Sequence, residues 1–318
     1  MNANTRSSSV TDSEALLSQL AMEFLREKKR QRRRGWIKAA LVLVMIFWVS
    51  YVFFSLDGVS DAGIGEPHVG LIDVKGTIMA DESASAENFS KAMKKAYANK
   101  ALKALILRID SPGGSPVQAD YMYNTLRYYR HKQKDIKVYA VCVDMCASAA
   151  YYIASAADEI YANPSSIVGS IGVIYNGFGF VDTMQKLGVS RRLQTAGHNK
   201  GFMDPFSPAV PGQEKQLQTM LNIIHQEFIN KVKAGRGTRL FIDDDTFSGL
   251  FWTGTQAKQR GLIDGFASTG QLARETIKIE KIVDYSYKEN PFEKVAKRIG
   301  VAMVNEVPAA FGFKTGFR

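Results

Sequence analysis

The sequence has few of the side chains that enzymes most often use as bases, metal ligands or redox groups. It contains four histidines and two cysteines in 318 residues, and no histidine stands in an H-E-x-x-H frame. Gly-x-Gly-x-x-Gly and Walker frames are also absent, so the sequence predicts neither a metal nor a nucleotide cofactor. Cys142 and Cys146 do not make a disulfide framework. In an extended strand they would lie about 13 Å apart, too far for a bridge, and both are predicted to be small buried residues.

A long uncharged run departs from an otherwise ordinary composition of 46% hydrophobic and 23% charged residues. Residues 39–56 form eighteen positions without a charge, close to the length that a helix needs to cross a hydrocarbon core of about 30 Å. A buried core helix is the alternative, but such helices rarely lack a polar face for so long. We therefore predict one transmembrane helix over residues 36–56, followed by a linker over residues 57–66.

A dense basic segment, residues 26–34, comes directly before this span. Cationic segments stay on the cytoplasmic side of a membrane, so residues 1–35 are predicted to be cytoplasmic and everything after Leu56 extracytoplasmic. The segment also resembles a nucleic-acid patch, yet its position beside the span favours anionic lipid headgroups as its partner. Residues 1–38 supply +5 of the net charge of +10, so no nucleic-acid partner is predicted for the folded part.

A cleaved signal peptide is the competing interpretation of the apolar run. Against it, the run begins late, is longer than a usual signal-peptide core, and lacks a clear small-x-small cleavage site directly after it. Asp61-Ala62-Gly63 is only a weak match to such a site. A retained anchor is therefore predicted.

Beyond the linker, strand-like and helical runs alternate, which favours an α/β domain with a layered and largely parallel sheet. The predicted strands are residues 69–74, 104–110, 136–143, 160–162 and 172–175. The predicted helices are residues 86–99, 117–132, about 148–157, 181–187 and 213–233, with a further helix that begins at Gln256. We place this domain at residues 67–285 and a mixed, basic tail at residues 286–318, which is either a docked helix or a loose end.

Ser148 is the candidate nucleophile. It follows the apolar run 138–143 among residues too small to cover it, where a strand is predicted to turn into a helix. Amides at a helix N-terminus point toward the negative charge that the chemistry of such a hydroxyl creates. The run Ser111-Pro112-Gly113-Gly114, between another strand and helix, supplies further amides that approach a substrate closely because glycine has no Cβ.

A serine hydroxyl needs a base, and Lys200, 52 residues after Ser148, is the candidate. The ordinary pKa of lysine, about 10.4, leaves almost no free amine at neutral pH. Burial in an apolar site disfavours the ammonium and lowers that pKa, and Phe202 and Phe206 make the neighbourhood apolar. A carboxylate in contact would cancel this effect, so Asp204 is predicted to point away from the lysine.

Two other chemistries stay open at this point. His198 would share a face with Lys200 in an extended segment, which allows a Ser-His mechanism. Cys146 would be a different nucleophile, although nothing near it in the sequence would lower the pKa of its thiol.

Four motifs occur in an order and spacing that resemble the signal peptide peptidase A family, in its short, single-repeat, membrane-anchored form. The motifs are DSPGG at residues 110–114, ASAAYYI at 147–153, GSIGVI at 169–174 and HNK at 198–200. The likeness covers about residues 66–275. The sequence departs from the commoner family pattern at Ala149-Ala150, where two glycines are frequent, and at Cys146, where a smaller residue often stands. Ala149 still offers its amide.

The resemblance implies a fold and a set of roles. The fold is α/β and Clp-protease/crotonase-like, with repeated ββα units. Ser148 would be the nucleophile and Lys200 the general base. The backbone amides of Gly114 and Ala149 would form the oxyanion hole, and the Ser170 hydroxyl would hold the lysine amine.

The same resemblance implies a membrane-anchored serine endopeptidase that degrades remnant signal peptides after export. Its catalytic domain would lie on the periplasmic side of the bacterial inner membrane. The short form of the family assembles as a dome-shaped homo-octamer that takes the serine from one protomer and the lysine from the next. The expected partners are therefore hydrophobic peptides, the lipid bilayer and further copies of the chain.

Two functions of other classes stay open. One is a catalytically inactive membrane scaffold of the same fold. The other is a crotonase-type acyl-CoA enzyme, which would need an acid–base carboxylate near the Gly113-Gly114 loop.

Overall fold

The computed structural model describes residues 28–30, 32–38, 40–48, 51 and 65–288. The chain divides into two compact units, Met1–Gly63 and Ile64–Arg318. In the first unit the described residues are helical and their large apolar side chains are exposed. Within the described residues, no helix has both the length and the apolar character that crossing a membrane requires.

Several predictions made for the chain ends fall wholly or partly outside the described residues. These are the cytoplasmic segment 1–35, parts of the span 36–56, most of the linker 57–66 with its Asp61-Ala62-Gly63 site, and the tail beyond Lys288. They stay predictions.

The second unit is built on a sheet of eight strands in its described residues. The strands are β1 (His68–Lys75), β2 (Leu102–Ser111), β3 (Lys137–Ala147), β4 (Glu159–Ala162), β5 (Ile167–Gly169), β6 (Phe251–Thr253), β7 (Gly265–Phe266) and β8 (Ile282–Asp284). Their order is β6-β5-β3-β2-β1-β8, with β4 beside β3 and β7 beside β4. All paired strands are parallel except β5 and β6, so the sheet is mixed.

Several of the helices begin at a residue whose side chain caps them. They are α1 (Ala86–Ala98), α2 (Pro116–Lys132), α3 (Ala149–Ala154), α4 (Val181–Lys186), α5 (Pro211–Arg236), α6 (Gly254–Gln259) and α7 (Thr269–Gln271), with a 3-10 turn at Gly237–Arg239 and a π-helical turn at Leu272–Ile277. The side chains of Ser85 and Ser115 accept the first amides of α1 and α2, which satisfies donors that a helix leaves unpaired. Proline at the first position of α2 has a backbone angle already suited to a helix.

The central strands are apolar on both faces, as strands covered on both sides of a parallel sheet are. In β2, Leu105 and Leu107 face the larger core with the helices, whereas Ala104 and Ile106 face a smaller one with Leu272. Because β2 and β3 are parallel neighbours, their carboxyl ends lie side by side at one edge of the sheet. The loop after β2 and the turn after β3 therefore meet there, and this is what positions the site.

Most predicted strands and helices are confirmed, but the strand at residues 172–175 is wrong. Those residues have no regular structure, and the strand in this region is β5, which ends at Gly169. It ends there because Gly169 and Ser170 have φ values of 103° and 51°, and such angles turn the chain out of a sheet. The helix predicted at about 148–157 is shorter and ends at Ala154.

The estimate that Cys142 and Cys146 lie far apart is also wrong. Ile109 pairs with Cys142 and Ser111 with Cys146, so three residues of β3 bulge opposite one residue of β2. The bulge brings the two thiols close enough for Cys142 to contribute to raising the pKa of Cys146. Both cysteines are buried and free, as predicted for small core residues.

Candidate active site

Ser148 occupies a sharp turn between β3 and α3. Its φ of 54° and ψ of −124° lie in a region that residues other than glycine rarely adopt. The N–H of Ser148 donates to the carbonyl of Gly169 at the end of β5 (2.8 Å), and its carbonyl accepts from the N–H of Tyr152 (3.0 Å). A serine on a strained strand-to-helix turn presents its hydroxyl away from the backbone. Within the described residues, Ser148 Oγ has no hydrogen-bond partner.

The loop after β2 lies against this serine, and steric contact explains its two glycines. A Cβ on Gly113 would lie 2.8 Å from the Cβ of Ser148, and one on Gly114 would lie 2.3 Å from the carbonyl oxygen of Ile78. Ile78 holds the loop, because its N–H donates to the Gly113 carbonyl (2.9 Å) and its carbonyl accepts from the N–H of Ser115 (2.8 Å). Only a residue without a Cβ lets the loop approach so closely.

Two backbone amides beside Ser148 are unpaired. Within the described residues, neither the N–H of Gly114 nor that of Ala149 donates to an acceptor. Ala149 is the first residue of α3, and the first amides of a helix have no intrahelical partner. Gly114 lines the same cavity as Ser148. The structure thus brings Ser148, Gly114 and Ala149 together, and two such donors around a nucleophile are suited to bind a developing oxyanion.

Ser148 opens into an apolar cavity of about 160 Å³. The lining residues are Gly114, Pro116, Ser148, Ala149, Tyr152, Gly172, Val173, Ile174, Ile224 and Phe228. Tyr152 gives the cavity a fixed wall, because its ring packs on Phe228 with centroids 5.0 Å apart and its hydroxyl donates to Asp120 (2.9 Å). Burial, and then the Asp120 carboxylate, raise the pKa of Tyr152, so this wall is uncharged at neutral pH.

Ser170 lies one residue beyond the carbonyl that holds the nucleophile. Its N–H donates to the carbonyl of Leu250 (2.8 Å), and its own carbonyl accepts from the N–H of Gly172 (2.9 Å). Ser170 is not among the residues that line the cavity, and within the described residues its hydroxyl has no partner. The structure therefore places Ser170 near the site with its hydroxyl unpaired.

Lys200 is not brought to Ser148 within this chain. It lies in a turn closed by its N–H on the carbonyl of Gly197 (3.1 Å), its side chain is exposed, and it does not line the Ser148 cavity. The apolar burial expected of a lysine base is thus absent in the isolated chain. Nearly every residue from 174 to 200 is exposed as well, including Ile174, Phe178 and Leu187.

Within the described residues Asp204 makes no ion pair with Lys200, which agrees with the expectation that its carboxylate does not contact the lysine. Its carboxylate accepts from the hydroxyl of Ser207 (2.7 Å) and pairs with Arg191 (3.4 Å). The Ser207 hydrogen bond is the main cause that lowers the pKa of Asp204. The carboxylate is therefore ionised and satisfied without the lysine.

The two alternative chemistries find no support in the geometry. His198 lines a different cavity of about 510 Å³, together with Asp204 and Gln213, and not the cavity of Ser148. Burial, and then the neighbouring Cys142 thiol, raise the pKa of the fully buried Cys146. A thiol in that state is protonated and a poor nucleophile.

Sequence reasoning missed the residues that reach the site from distant segments. Ile224 and Phe228 of α5 line the cavity, and their i, i+4 spacing on an amphipathic helix could have indicated an apolar face. Ile78 and Leu250 contact the site through backbone carbonyls and amides, and His225 contacts it through its imidazole. Such contacts depend on tertiary placement and leave no pattern in the sequence.

Comparison with known families gives two overlapping matches. A model of peptidase family S49 matches residues 130–283, and a model of Clp protease matches residues 72–168. The second match runs from within β1 to within β5, and it agrees with the ClpP/crotonase-like arrangement of the mixed sheet. Together the two matches include all five predicted site residues: Gly114, Ser148, Ala149, Ser170 and Lys200.

Several curated proteins are similar to the chain over about two thirds of its length. A Na(+)/H(+) antiporter NhaA of Brucella abortus is 41% identical over 216 residues, which are 66% of this chain and 29% of that protein. The putative protease slr0021 of Synechocystis is 33% identical over 193 residues, 61% of this chain and 67% of that protein. A putative signal peptide peptidase SppA of Enterococcus faecium is 28% identical, covering 65% of this chain and 60% of that protein. The chain thus spans less than a third of the antiporter relative and about two thirds of the protease relatives.

Proposed function

Because the chain belongs to peptidase family S49, a family of serine proteases, we propose that it is a Ser-Lys endopeptidase with Ser148 as its nucleophile. One observation carries the proposal. Among the residues that the structure describes, the Ser148 hydroxyl has no partner on its strained turn, and neither have the amides of Gly114 and Ala149 beside it. Strain of this kind is retained where the surrounding structure fixes it, and it concentrates at active sites.

The chemistry proceeds by acyl transfer in two halves. The neutral amine of Lys200 takes the hydroxyl proton while Ser148 Oγ bonds to the scissile carbonyl carbon. The carbonyl oxygen becomes an oxyanion that accepts hydrogen bonds from the amides of Gly114 and Ala149. The lysine ammonium then gives its proton to the leaving amine as the peptide bond breaks. Water, deprotonated by the same lysine, hydrolyses the ester and restores the serine.

The cavity supports a hydrophobic peptide as substrate. It is lined by aliphatic and aromatic side chains, and its volume of about 160 Å³ suits one aliphatic side chain next to the cleaved bond. A remnant signal peptide has such residues, and one relative carries the name of a signal peptide peptidase. An anchor over residues 36–56 would hold the catalytic unit beside the bilayer that contains these peptides, on its periplasmic side.

The lysine comes from a neighbouring copy of the chain. Lys200 is exposed and residues 174–200 are almost wholly exposed in one protomer, so this segment needs from elsewhere an apolar cover and a serine for the lysine to act on. Docking it over the Ser148 cavity of the next protomer would supply both. A closed ring of such contacts, an octamer by family resemblance, leaves no segment uncovered.

Mixing two inactive variants tests this arrangement. Ser148→Ala and Lys200→Ala are each expected to lose activity on a fluorogenic hydrophobic peptide, whereas Lys215→Ala, at another exposed lysine, is expected to keep it. Random co-assembly of the two inactive variants from equal amounts should restore about one quarter of the wild-type rate, because each site needs two intact donors. Absence of recovery in a verified mixed oligomer, or full activity of a monomer, would contradict the shared site.

The rival functions lack comparable support. Among the described residues that line the Ser148 cavity, none carries the carboxylate that a crotonase-type enzyme would need. An inactive scaffold would have no use for a serine with two unpaired amides beside it. Covalent labelling of Ser148 by a fluorophosphonate probe, and its loss in Lys200→Ala, is the result expected of an enzyme. A protein that never labels would favour the scaffold.

A further inference from the structure

His225 holds the carbonyl of Ile171, the residue that follows Ser170. The histidine lies on α5, and its Nε2 is 3.0 Å from the Ile171 carbonyl oxygen. A carbonyl oxygen only accepts, so the imidazole donates its Nε2–H in this bond. The side chain of Ile171 is itself completely buried. The bond therefore ties the turn after β5 to a long helix across 54 residues of sequence.

This turn is held at three successive residues. The Gly169 carbonyl accepts from the N–H of Ser148, the Ser170 N–H donates to Leu250, and the Ile171 carbonyl accepts from His225. Ser170 stands in the middle with a φ of 51°, a conformation that a serine keeps only when its surroundings impose it. The first two contacts are backbone to backbone. His225 supplies the one side-chain contact, and so the one that a substitution can remove directly.

The same helix also shapes the substrate cavity. Ile224, which directly precedes His225, lines the cavity of Ser148, and so does Phe228, one helical turn after Ile224. Gly172, which follows Ile171, also lines it. A shift of the turn relative to α5 would therefore change where the Ser170 hydroxyl points and how Gly172 borders the cavity.

We propose that His225 is a positioning residue for the peptidase reaction. By fixing the Ile171 carbonyl, it sets the Ser170 hydroxyl in the direction from which the amine of Lys200 arrives. The inference rests on the proposed Ser-Lys function. Because a neutral Nε2–H tautomer and the imidazolium both donate this bond, His225 acts as a donor at every working pH and does not serve as a base.

Three substitutions at His225 separate the effect of its hydrogen-bond donor from the effect of its side-chain volume. Glutamine places an amide N–H near the position of Nε2 and should restore kcat to within about threefold of wild type. Leucine fills the space without a donor, and asparagine carries a donor too short to reach. Both should lower kcat by about 10- to 100-fold with little change in KM, because displacement of a catalytic group by a fraction of an ångström has effects of this size.

A double-mutant cycle with Ser170 tests the route of the effect. If His225 acts through Ser170, adding His225→Leu to Ser170→Ala should cause no further loss of kcat. A loss that multiplies in the double variant, a change confined to KM, or a glutamine variant as slow as leucine would overturn the proposal. Unfolding midpoints and oligomer size are measured for each variant, and His225→Asn replaces leucine in the cycle if leucine prevents folding.

If the proposed Ser-Lys function is wrong, the same set of variants gives a different result. If Ser148→Ala or Lys200→Ala retains peptidase activity, the Ser-Lys assignment is wrong whatever His225 does. If both are inactive while His225→Leu keeps its kcat, only the role of His225 is rejected.

Discussion

Gly113 lies in direct contact with Ser148. A Cβ built on Gly113 falls 2.8 Å from the Cβ of Ser148 and 3.0 Å from the amide nitrogen of Ala149, so a methyl group there would displace the nucleophile or its neighbouring amide. The loop after β2 and the turn after β3 thus pack so closely that there is no room for one additional methyl group. The proximity explains why a substitution outside the proposed dyad should lower catalysis strongly.

Gly113→Ala is expected to lower kcat/KM by about 100-fold or more, because it moves the serine and one oxyanion donor out of place. The matched control is Gly76→Ala. Gly76 also has a positive φ, 82°, but nothing lies within 4 Å of a Cβ there. The control should lose about 1–2 kcal/mol of stability from its backbone angle and keep its activity once folded. Equal activity loss in both variants would show that backbone angle, and not contact with Ser148, is what matters.

Ser148→Ala and Ser148→Gly should both be inactive, with kcat reduced at least about 10³-fold. They should differ in stability. The backbone of residue 148, with φ 54° and ψ −124°, is strained for alanine and accessible to glycine, so the glycine variant should be more stable by about 1 kcal/mol. Chemical denaturation of the two variants measures this difference. A glycine variant no more stable than the alanine variant would mean that the turn stores no strain.

The carboxylate of Asp264 should make folding stability fall in acid. The Asp264 carboxylate accepts hydrogen bonds from Nη1 and Nη2 of the buried Arg236 (2.7 and 3.0 Å) and from the N–H of Ile160 (2.7 Å). Although burial alone would raise it, the pKa of Asp264 is lowered by these contacts, above all those of Arg236. A lowered folded pKa means that the stabilisation is complete above the ordinary value of about 3.9 and is lost as the pH falls below it.

Asp264→Asn should therefore cost about 3–5 kcal/mol at neutral pH, because it leaves a buried guanidinium without its counter-charge. Its stability should also depend less steeply on pH between about 4 and 2 than that of the wild type. Urea unfolding at a series of pH values measures both effects. The exposed Asp81→Asn is the control and should behave as wild type.

The buried thiols of Cys142 and Cys146 should be inert in the folded protein. Both are buried, and burial together with the neighbouring thiol raises the pKa of Cys146, which leaves no thiolate at neutral pH. An excess of a maleimide reagent should modify neither residue and should leave peptidase activity intact. Unfolding in denaturant should then release two reactive thiols. Rapid loss of activity on alkylation would restore Cys146 as a candidate nucleophile.

The turn at Ser148 and the loop at residues 113 and 114 could be predicted from the sequence because they depend on neighbouring residues. An apolar run followed by small residues predicted Ser148 at a strand-to-helix turn, and the glycines at 113 and 114 predicted a loop that approaches closely. The structure places both as expected, and in the part of the chain that it describes the amides of Gly114 and Ala149 have no acceptor. The strand predicted at 172–175 failed because apolar residues there follow two positive φ values at 169 and 170, and no propensity reveals such angles.

The sequence by itself determined that this chain has an α/β fold in which Ser148 stands in an alanine-rich turn next to a glycine-containing loop. It could do so because apolar periodicity and the absence of a Cβ act within a few residues. Tertiary structure alone decided what surrounds that serine. The bulge between Cys142 and Cys146 depends on the pairing of β3 with β2. The hydrogen bond from His225 to Ile171 spans 54 residues, and Lys200 is exposed and does not line the cavity. These relationships arise from contacts between distant segments, whose geometry is fixed only when the whole sheet is assembled.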